Sequence, residues 1–238
     1  MIESTYRLPV METVKAAWAK VSGAKGSFWA VVGLFFLIQI VIGILLGLTA
    51  NYMAVNFILN VLTTLVQIAA GAGVVYLGIR RAQDIPIQYK MVKEVITARI
   101  ILYIIVLYIL QMLIFIPAGL IALLGLYLGD MQVMPVKMIS LVFYIAATIL
   151  FIFLSIRMWV AYGAVVDKNL NPWEALKLSF KATESNVWNL IGIYLLCFLI
   201  FIVCTVTFGI GFIWGVPWLL IIYGESYKRL VTRQDIRG

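Results

Sequence analysis

The chain has 238 residues, of which 64% are hydrophobic and 12% are charged, and its formal net charge is +8. A soluble domain has roughly 25% charged residues, so the composition excludes a soluble domain, a disordered chain and a small disulfide-rich secreted module. The class that remains is an all-α integral membrane protein.

Six stretches of the chain are apolar and long enough to cross a bilayer as helices. A spanning helix needs about 20 apolar residues, because the hydrocarbon core is roughly 30 Å thick and a helix rises about 1.5 Å per residue. In chain order the sequence predicts spans at roughly 28–50, 54–79, 100–126, 138–161, 187–206 and 210–227. They form one predicted six-helix transmembrane domain over residues 1–238.

The basic residues indicate how these spans are oriented. Of the 18 lysines and arginines, only Lys137 lies in a connection on the side opposite to the others. Positively charged connections stay in the cytoplasm, so we expect both termini to be cytoplasmic. The same asymmetry accounts for the net charge through attraction to anionic lipid headgroups on the cytoplasmic side, and no nucleic-acid partner is expected.

A short amphipathic segment precedes the first, third and fifth spans. In the third segment Asn171 and Pro172 are typical of a helix start, and an apolar stripe follows at Trp173, Leu176 and Phe180. The first segment repeats the stripe 162 residues earlier at Met11, Val14 and Trp18, and the middle one has Tyr89, Val92 and Ile96.

Basic and aromatic residues beside these stripes are typical of helices that lie in the headgroup plane. The candidate interfacial residues are Lys15, Trp18, Lys90, Lys93, Trp173, Lys177 and Lys181. The sequence therefore predicts three repeats of an interfacial amphipathic helix followed by a transmembrane hairpin. The repeat units cover about 8–79, 84–163 and 170–228.

The predicted second span carries a polar stripe. Its members occupy positions i, i+3, i+4 and i+7 and are Asn60, Thr63, Thr64 and Gln67. Polar residues in this arrangement favour hydrogen bonding and packing against neighbouring helices, with Gln39, Gln111 and Asn189 as candidate partners. A polar conduit through the membrane is the alternative interpretation.

Arg157 is a second polar candidate, because apolar residues flank it on both sides. One interpretation is an arginine that snorkels at the inner membrane boundary beside Trp159. The other is a contact for an anion or a lipid phosphate.

Groups that carry chemistry in membrane enzymes and pumps are scarce in this sequence. It has no histidine, which excludes histidine catalysis and histidine metal ligands. No acidic residue lies at the centre of a predicted span, where ion-coupled transporters usually place one. Phosphate-binding loops and nucleophile elbows are also missing. We therefore expect a protein that is not an enzyme and uses no cofactor or metal.

The second half of the chain resembles known bacterial membrane proteins. An apolar run leads into Asp167-Lys168-Asn169-Leu170 and then the segment 175–180, and the chain closes with Gly209-Ile210-Gly211 and Pro217-Trp218. Over roughly residues 155–230 this resembles the YciC-like group of small bacterial inner-membrane proteins, and it is similar to the membrane domain fused to some glycerophosphodiester phosphodiesterases. The resemblance implies a six-helix fold in the bacterial inner membrane and transfers no catalytic residue.

Two functions of different classes follow from these observations. The first is a non-catalytic multi-pass protein of the inner membrane that acts through lipid or protein contacts, in envelope organisation or complex assembly. Its partners would be membrane lipids and either another protein or further copies of the chain. The alternative is a small transporter or channel for an uncharged or anionic solute, using the polar stripe of the second span.

Overall fold

Helices form every regular element in the described part of the chain. A computed structural model describes residues 7–131 and 133–237, so residues 1–6, 132 and 238 of the predicted domain lie outside the described residues. The elements in order are α1 (Val10–Ala19), α2 (Lys25–Leu48), α3 (Met53–Ala82), a 3₁₀ helix (Tyr89–Glu94), α4 (Ala98–Asp130), α5 (Met134–Arg157), α6 (Ala161–Lys168), α7 (Pro172–Thr183), α8 (Val187–Val206) and α9 (Phe212–Arg237).

Five helical stretches within the described residues are long and apolar enough to cross a membrane. They are α2, α3, α4, the stretch Met134–Lys168 and α8. The prediction of an all-helical protein with several membrane-spanning helices is therefore confirmed. The predicted sixth span lies in α9, which is not among the five, because its second half carries Glu225, Lys228 and Arg229. Six spans stay a prediction.

A turn interrupts the fourth predicted span. The sequence predicts a helix to residue 161, but α5 ends at Arg157 and the chain breaks before α6 begins at Ala161. The hydroxyl of Ser179, on α7, donates to the Arg157 carbonyl at 2.7 Å and accepts from the backbone N–H of Val160 at 3.1 Å. This side chain pairs one carbonyl and one N–H at the break, both of which the helix itself leaves without a partner.

Three short helices, α1, the 3₁₀ helix and α7, lie at the same end of the bundle, which we call the short-helix end. Lys20, just after α1, donates to the carbonyl of Ala82 at the end of α3 (2.7 Å). Ser27 at the start of α2 donates to Ile87, shortly before the 3₁₀ helix (3.0 Å). With α7 bound to the end of α5, three short helices cap the ends of the long ones.

The middle short helix differs from the predicted amphipathic α-helix. It is a single 3₁₀ segment of six residues. The 3₁₀ helix ends at Glu94 and does not continue, because the backbone of Thr97 is extended. In this conformation the Thr97 hydroxyl caps α4 by accepting from the backbone N–H of Ile100 at 3.3 Å. β-Branched residues at Val92 and Val95 also lower the helical propensity of this segment.

Helix α9 packs directly against α3. A Cβ atom added at Gly78 would lie 2.5 Å from the carbonyl oxygen of Leu220, and one added at Gly224 would lie 2.3 Å from the carbonyl oxygen of Gly78. Only glycine permits such an approach of two backbones. Ile221 and Ile222 are fully buried beside this contact, so α9 belongs to the interior of the bundle.

Candidate functional site

The polar stripe of α3 lies on the surface of the bundle. Asn60, Thr64 and Gln67 are exposed and Thr63 is half-buried. Thr64 donates to the Asn60 carbonyl (3.0 Å) within the same helix. The Asn60 amide likewise donates within α3, to the carbonyl of Asn56 (2.7 Å). The stripe is thus not enclosed by the long helices of its own chain.

Two of the three candidate partners of the stripe, Gln39 and Asn189, donate hydrogen bonds to backbone carbonyls. Gln39 on α2 donates to the backbone carbonyl of Thr63 at 3.3 Å. Asn189 instead donates to the carbonyl of Leu8 at 2.6 Å, and together with Asn186, which accepts from the Leu8 N–H, it holds the segment that leads into α1. Asn189 therefore anchors the short-helix end and is not a partner of the stripe.

The candidate interfacial residues are all exposed. They are Lys15, Trp18, Lys90, Lys93, Trp173, Lys177 and Lys181. Two of the lysines lie over aromatic rings: the ammonium of Lys177 is 5.3 Å from the ring centre of Trp173, and that of Lys90 is 6.0 Å from the ring centre of Tyr89. Exposed basic and aromatic side chains thus share the short-helix end.

The predicted apolar stripe of α7 coincides only in part with the face that packs against the protein. The buried residues of α7 are Pro172, Ala175, Leu176, Ser179, Ala182 and Thr183. Trp173 stays outside, and only Leu176 of the predicted stripe is fully buried. The small side chains on this face let α7 lie close to the end of α5. The large ring of Trp173 lies on the other side and is exposed on the protein surface. In α1, similarly, Val14 is buried while Met11 and Trp18 are exposed.

Arg157 stacks on α7. Its guanidinium carbon lies 5.0 Å from the ring centre of Phe180, which is a cation–π contact. Trp159, the neighbour in the sequence, turns away and packs against the rings of Tyr194 and Tyr223 at 4.3 and 5.1 Å. Arg157 therefore lies half-buried at the short-helix end, and its two roles stay predictions.

An apolar groove runs between α1, α8 and α9. Its volume is about 520 Å³, and its lining includes Met11, Trp18, Leu199 and Trp218. The rings of Trp18 and Trp218 meet edge to face with their centres 4.7 Å apart, and the indole N–H of Trp218 donates to the carbonyl of Val14 at 3.1 Å. These contacts hold α1 against α9 and make the groove a preformed feature.

Lys15 lies at the mouth of this groove. It lines an adjoining cavity of about 360 Å³ together with Met11, Val14, Trp18 and Trp218, all of which also line the groove. The lysine is exposed, so its ammonium group can reach polar surroundings while its stem follows the apolar wall. A cation beside an apolar groove is a matched pair of sites for an amphiphile with an anionic head.

A buried ion-pair cluster at the short-helix end was not predicted. The ammonium of Lys20 lies 2.6 Å from a carboxylate oxygen of Glu225 and 2.7 Å from one of Asp84. Glu225 is only 3% exposed, and its other oxygen lies 3.6 Å from Arg229. The spacing of Glu225 and Arg229 by four residues on one helix was the signal that the sequence offered.

The cluster shifts the pKa values of Lys20 and Asp84. Burial lowers the pKa of Lys20, but the contacts with Asp84 and Glu225 outweigh it, so the net pKa is raised above 10.5. Contacts with Lys20 and Lys228 hold the pKa of Asp84 below its usual 3.8. Both charges are therefore stabilised in the folded protein.

Comparisons with known proteins found no match: no protein-family model, no curated protein and no solved structure matches the chain. The resemblance to the YciC-like group thus stays a prediction that rests on the residues quoted for it.

Proposed function

We propose that this chain is a non-catalytic multi-pass protein of the bacterial inner membrane that binds anionic phospholipid at its cytoplasmic face. The observation that carries the proposal is the groove between α1, α8 and α9 with Lys15 at its mouth. Such contacts would serve envelope organisation or the assembly of a membrane complex.

The proposed topology has six spans with both termini in the cytoplasm. Helix α9 would be the sixth span. It is less apolar than the other five, which a spanning helix can be where α3 covers part of its surface and keeps it from the lipid. The short-helix end would be cytoplasmic, since Lys15, Lys90 and Lys177 are exposed there and basic connections stay inside. The order of one short helix and two long ones supports the proposed threefold repeat, although α6 has no counterpart in the other two units.

Lipid binding at the groove follows from its chemistry. Acyl chains need an apolar channel, and a volume of about 520 Å³ is within the roughly 300–1,000 Å³ typical of small-molecule sites. A phosphate at the mouth would lie near Lys15, and each basic residue near an anionic membrane surface contributes about 1 kcal/mol. Trp18, half-exposed at the same place, is the residue type that prefers the headgroup level.

The alternative, a small transporter or channel, receives less support. A conduit within one chain would turn the stripe of Asn60, Thr64 and Gln67 towards the interior, whereas these side chains are exposed on the surface of the bundle. The alternative predicts solute flux in reconstituted vesicles that is lost with Asn60→Leu and Gln67→Leu together.

Native mass spectrometry of the full chain tests the proposal. The protein is extracted mildly and exchanged into vesicles or nanodiscs that contain equal amounts of phosphatidylglycerol and phosphatidylcholine. The wild type is expected to retain phosphatidylglycerol selectively. Lys15→Gln should lower that selectivity, because the cation is lost, while Lys15→Arg should keep it as the matched control. Leu199→Trp, which fills the groove from an exposed position, should lower retention of both lipids.

Equal lipid retention by the wild type, Lys15→Gln and Leu199→Trp would contradict the proposed site. Loss of retention in Lys15→Arg as well would show that the lysine acts in folding and not as a cation. Either result removes the groove as the basis of the function.

A further inference from the structure

The exposed face of α3 has the spacing of a coiled-coil seam. Met53, Phe57, Asn60, Thr64 and Gln67 follow one another at intervals of four, three, four and three residues. All five are exposed, Met53 to 88% and Phe57 to 70%. Alternate intervals of three and four place residues on one line of a helix that faces a partner helix. We call these five residues the α3 seam.

One polar member of the α3 seam, Gln67, lies where lipid cannot satisfy its side chain. Gln67 is at the middle of α3 (Met53–Ala82), and its side chain has no hydrogen-bond partner among the residues that the structure describes. An unpaired amide is unfavourable in hydrocarbon, which offers neither donor nor acceptor. Polar residues in spans accordingly face other helices or water-filled cavities.

The rest of the exposed surface of α3 is suited to lipid. Val55, Ile58, Val61 and Leu62 are exposed and apolar. Polar side chains are therefore not scattered over the helix but aligned on one side of it. That alignment is typical of a contact surface for another transmembrane helix.

We propose that the α3 seam is the interface of a two-fold symmetric dimer, in which α3 of one copy packs parallel to α3 of a second copy. Two copies inserted in the same orientation can be related by a two-fold axis along the membrane normal, which places equivalent residues opposite each other. An amide carries both a donor and an acceptor, so Asn60 and Gln67 are each complementary to themselves. Their separation of seven residues gives both the same heptad position, and one register pairs both.

This inference does not rest on the proposed lipid function, because the groove is built from α1, α8 and α9 and the seam from α3 alone. The dimer would place the two α3 helices at its centre, and no residue of the α3 seam lines the groove or the cavity beside Lys15. Failure of one proposal therefore leaves the other intact.

The oligomeric state of the full chain tests the dimer. Native mass spectrometry and light scattering in mild detergent are expected to show a dimer for the wild type. Asn60→Leu with Gln67→Leu should weaken dimerisation about tenfold or more, since two interhelical hydrogen-bonded pairs are lost. Gln67→Asn keeps an amide at the centre of the seam and should keep the dimer. Circular dichroism of each variant checks that the helical content is unchanged.

Cysteine cross-linking in native membranes provides a test that does not depend on detergent. Phe57→Cys, in the seam, should give a disulfide-linked dimer. Ile58→Cys is the matched control, because it is 64% exposed at nearly the same depth but about 100° further around the helix. The wild type, whose two cysteines are unpaired, is the blank.

Three results would overturn the dimer. They are a monomeric wild type, equal cross-linking of Phe57→Cys and Ile58→Cys, and a dimer of unchanged affinity after both amides are replaced by leucine. A monomer that co-purifies with a different membrane protein through the seam would assign the surface to that partner and overturn the proposal equally.

Discussion

Replacing Lys20 by methionine removes the cation that neutralises the buried carboxylate of Glu225. The ammonium group of Lys20 contacts Glu225 at 2.6 Å, Asp84 at 2.7 Å and the carbonyl of Ala82 at 2.7 Å. Methionine has a similar length and keeps the apolar stem, so the change is mainly one of charge. After the substitution, the one contact that Glu225 would keep among the described side chains is the longer one with Arg229, at 3.6 Å.

The expected loss of stability follows from the burial of the two partners. Removing one partner of a buried ion pair costs about 3–5 kcal/mol. The lysine side chain is 19% exposed and Arg229 stays nearby, so we expect about 2–3 kcal/mol. The contact with Asp84 adds at most about 1 kcal/mol, because that carboxylate is largely exposed and a surface pair contributes little.

Reversible unfolding in mixed detergent micelles measures this free energy. Lys20→Met with Glu225→Leu should be more stable than Lys20→Met alone, because both buried charges are then gone. Lys15→Met is the matched control on α1, and its exposed position predicts a change within about 0.5 kcal/mol. The reasoning is wrong if Lys20→Met costs no more than Lys15→Met, or if the double variant is as unstable as the sum of the two single ones.

Two further predictions concern pH and the contact between α3 and α9. The pKa of Lys20 is raised in the folded protein, so the stabilising effect of its charge is complete below pH 10.5 and is lost as the pH rises through the higher folded-state pKa. The difference in unfolding free energy between the wild type and Lys20→Met should therefore shrink above pH 10.5. A difference that stays constant with pH would contradict this assignment. Gly224→Ala should destabilise the protein by about 1–3 kcal/mol in thermal unfolding, since its Cβ would meet the Gly78 carbonyl at 2.3 Å and force the helices apart. Gly43→Ala, where the added carbon meets nothing within 4 Å, is the control and should cost nothing.

Most long helices could be placed from the sequence, because the length of an apolar run is a local property. The predicted fifth span, 187–206, coincides with α8, and α2, α3 and α4 begin and end within a few residues of their predicted spans. The end of α5 could not be predicted, since it depends on the hydroxyl of Ser179, 22 residues further along the chain.

The faces of the short helices were less predictable. In a membrane protein both the lipid-facing and the protein-facing sides of a helix are apolar, so periodicity alone cannot separate them. On α7 the protein-facing side is marked by the small residues Ala175, Ser179 and Ala182, whereas the large ring of Trp173 stays outside. Residue size, and not hydrophobicity, was the informative signal.

The amino-acid sequence by itself determined that this is a helical membrane protein and which end of the bundle carries the basic residues. Composition, the length of apolar runs and charge are properties of short stretches, so they can be read without the fold. Only the tertiary structure decided that Glu225 is buried against Lys20, that Lys15 stands at the mouth of a groove and that the stripe of Gln67 faces outward. These features join residues from different helices or depend on which side of a helix its neighbours cover. Helix packing decides them, and no single stretch of sequence contains that information.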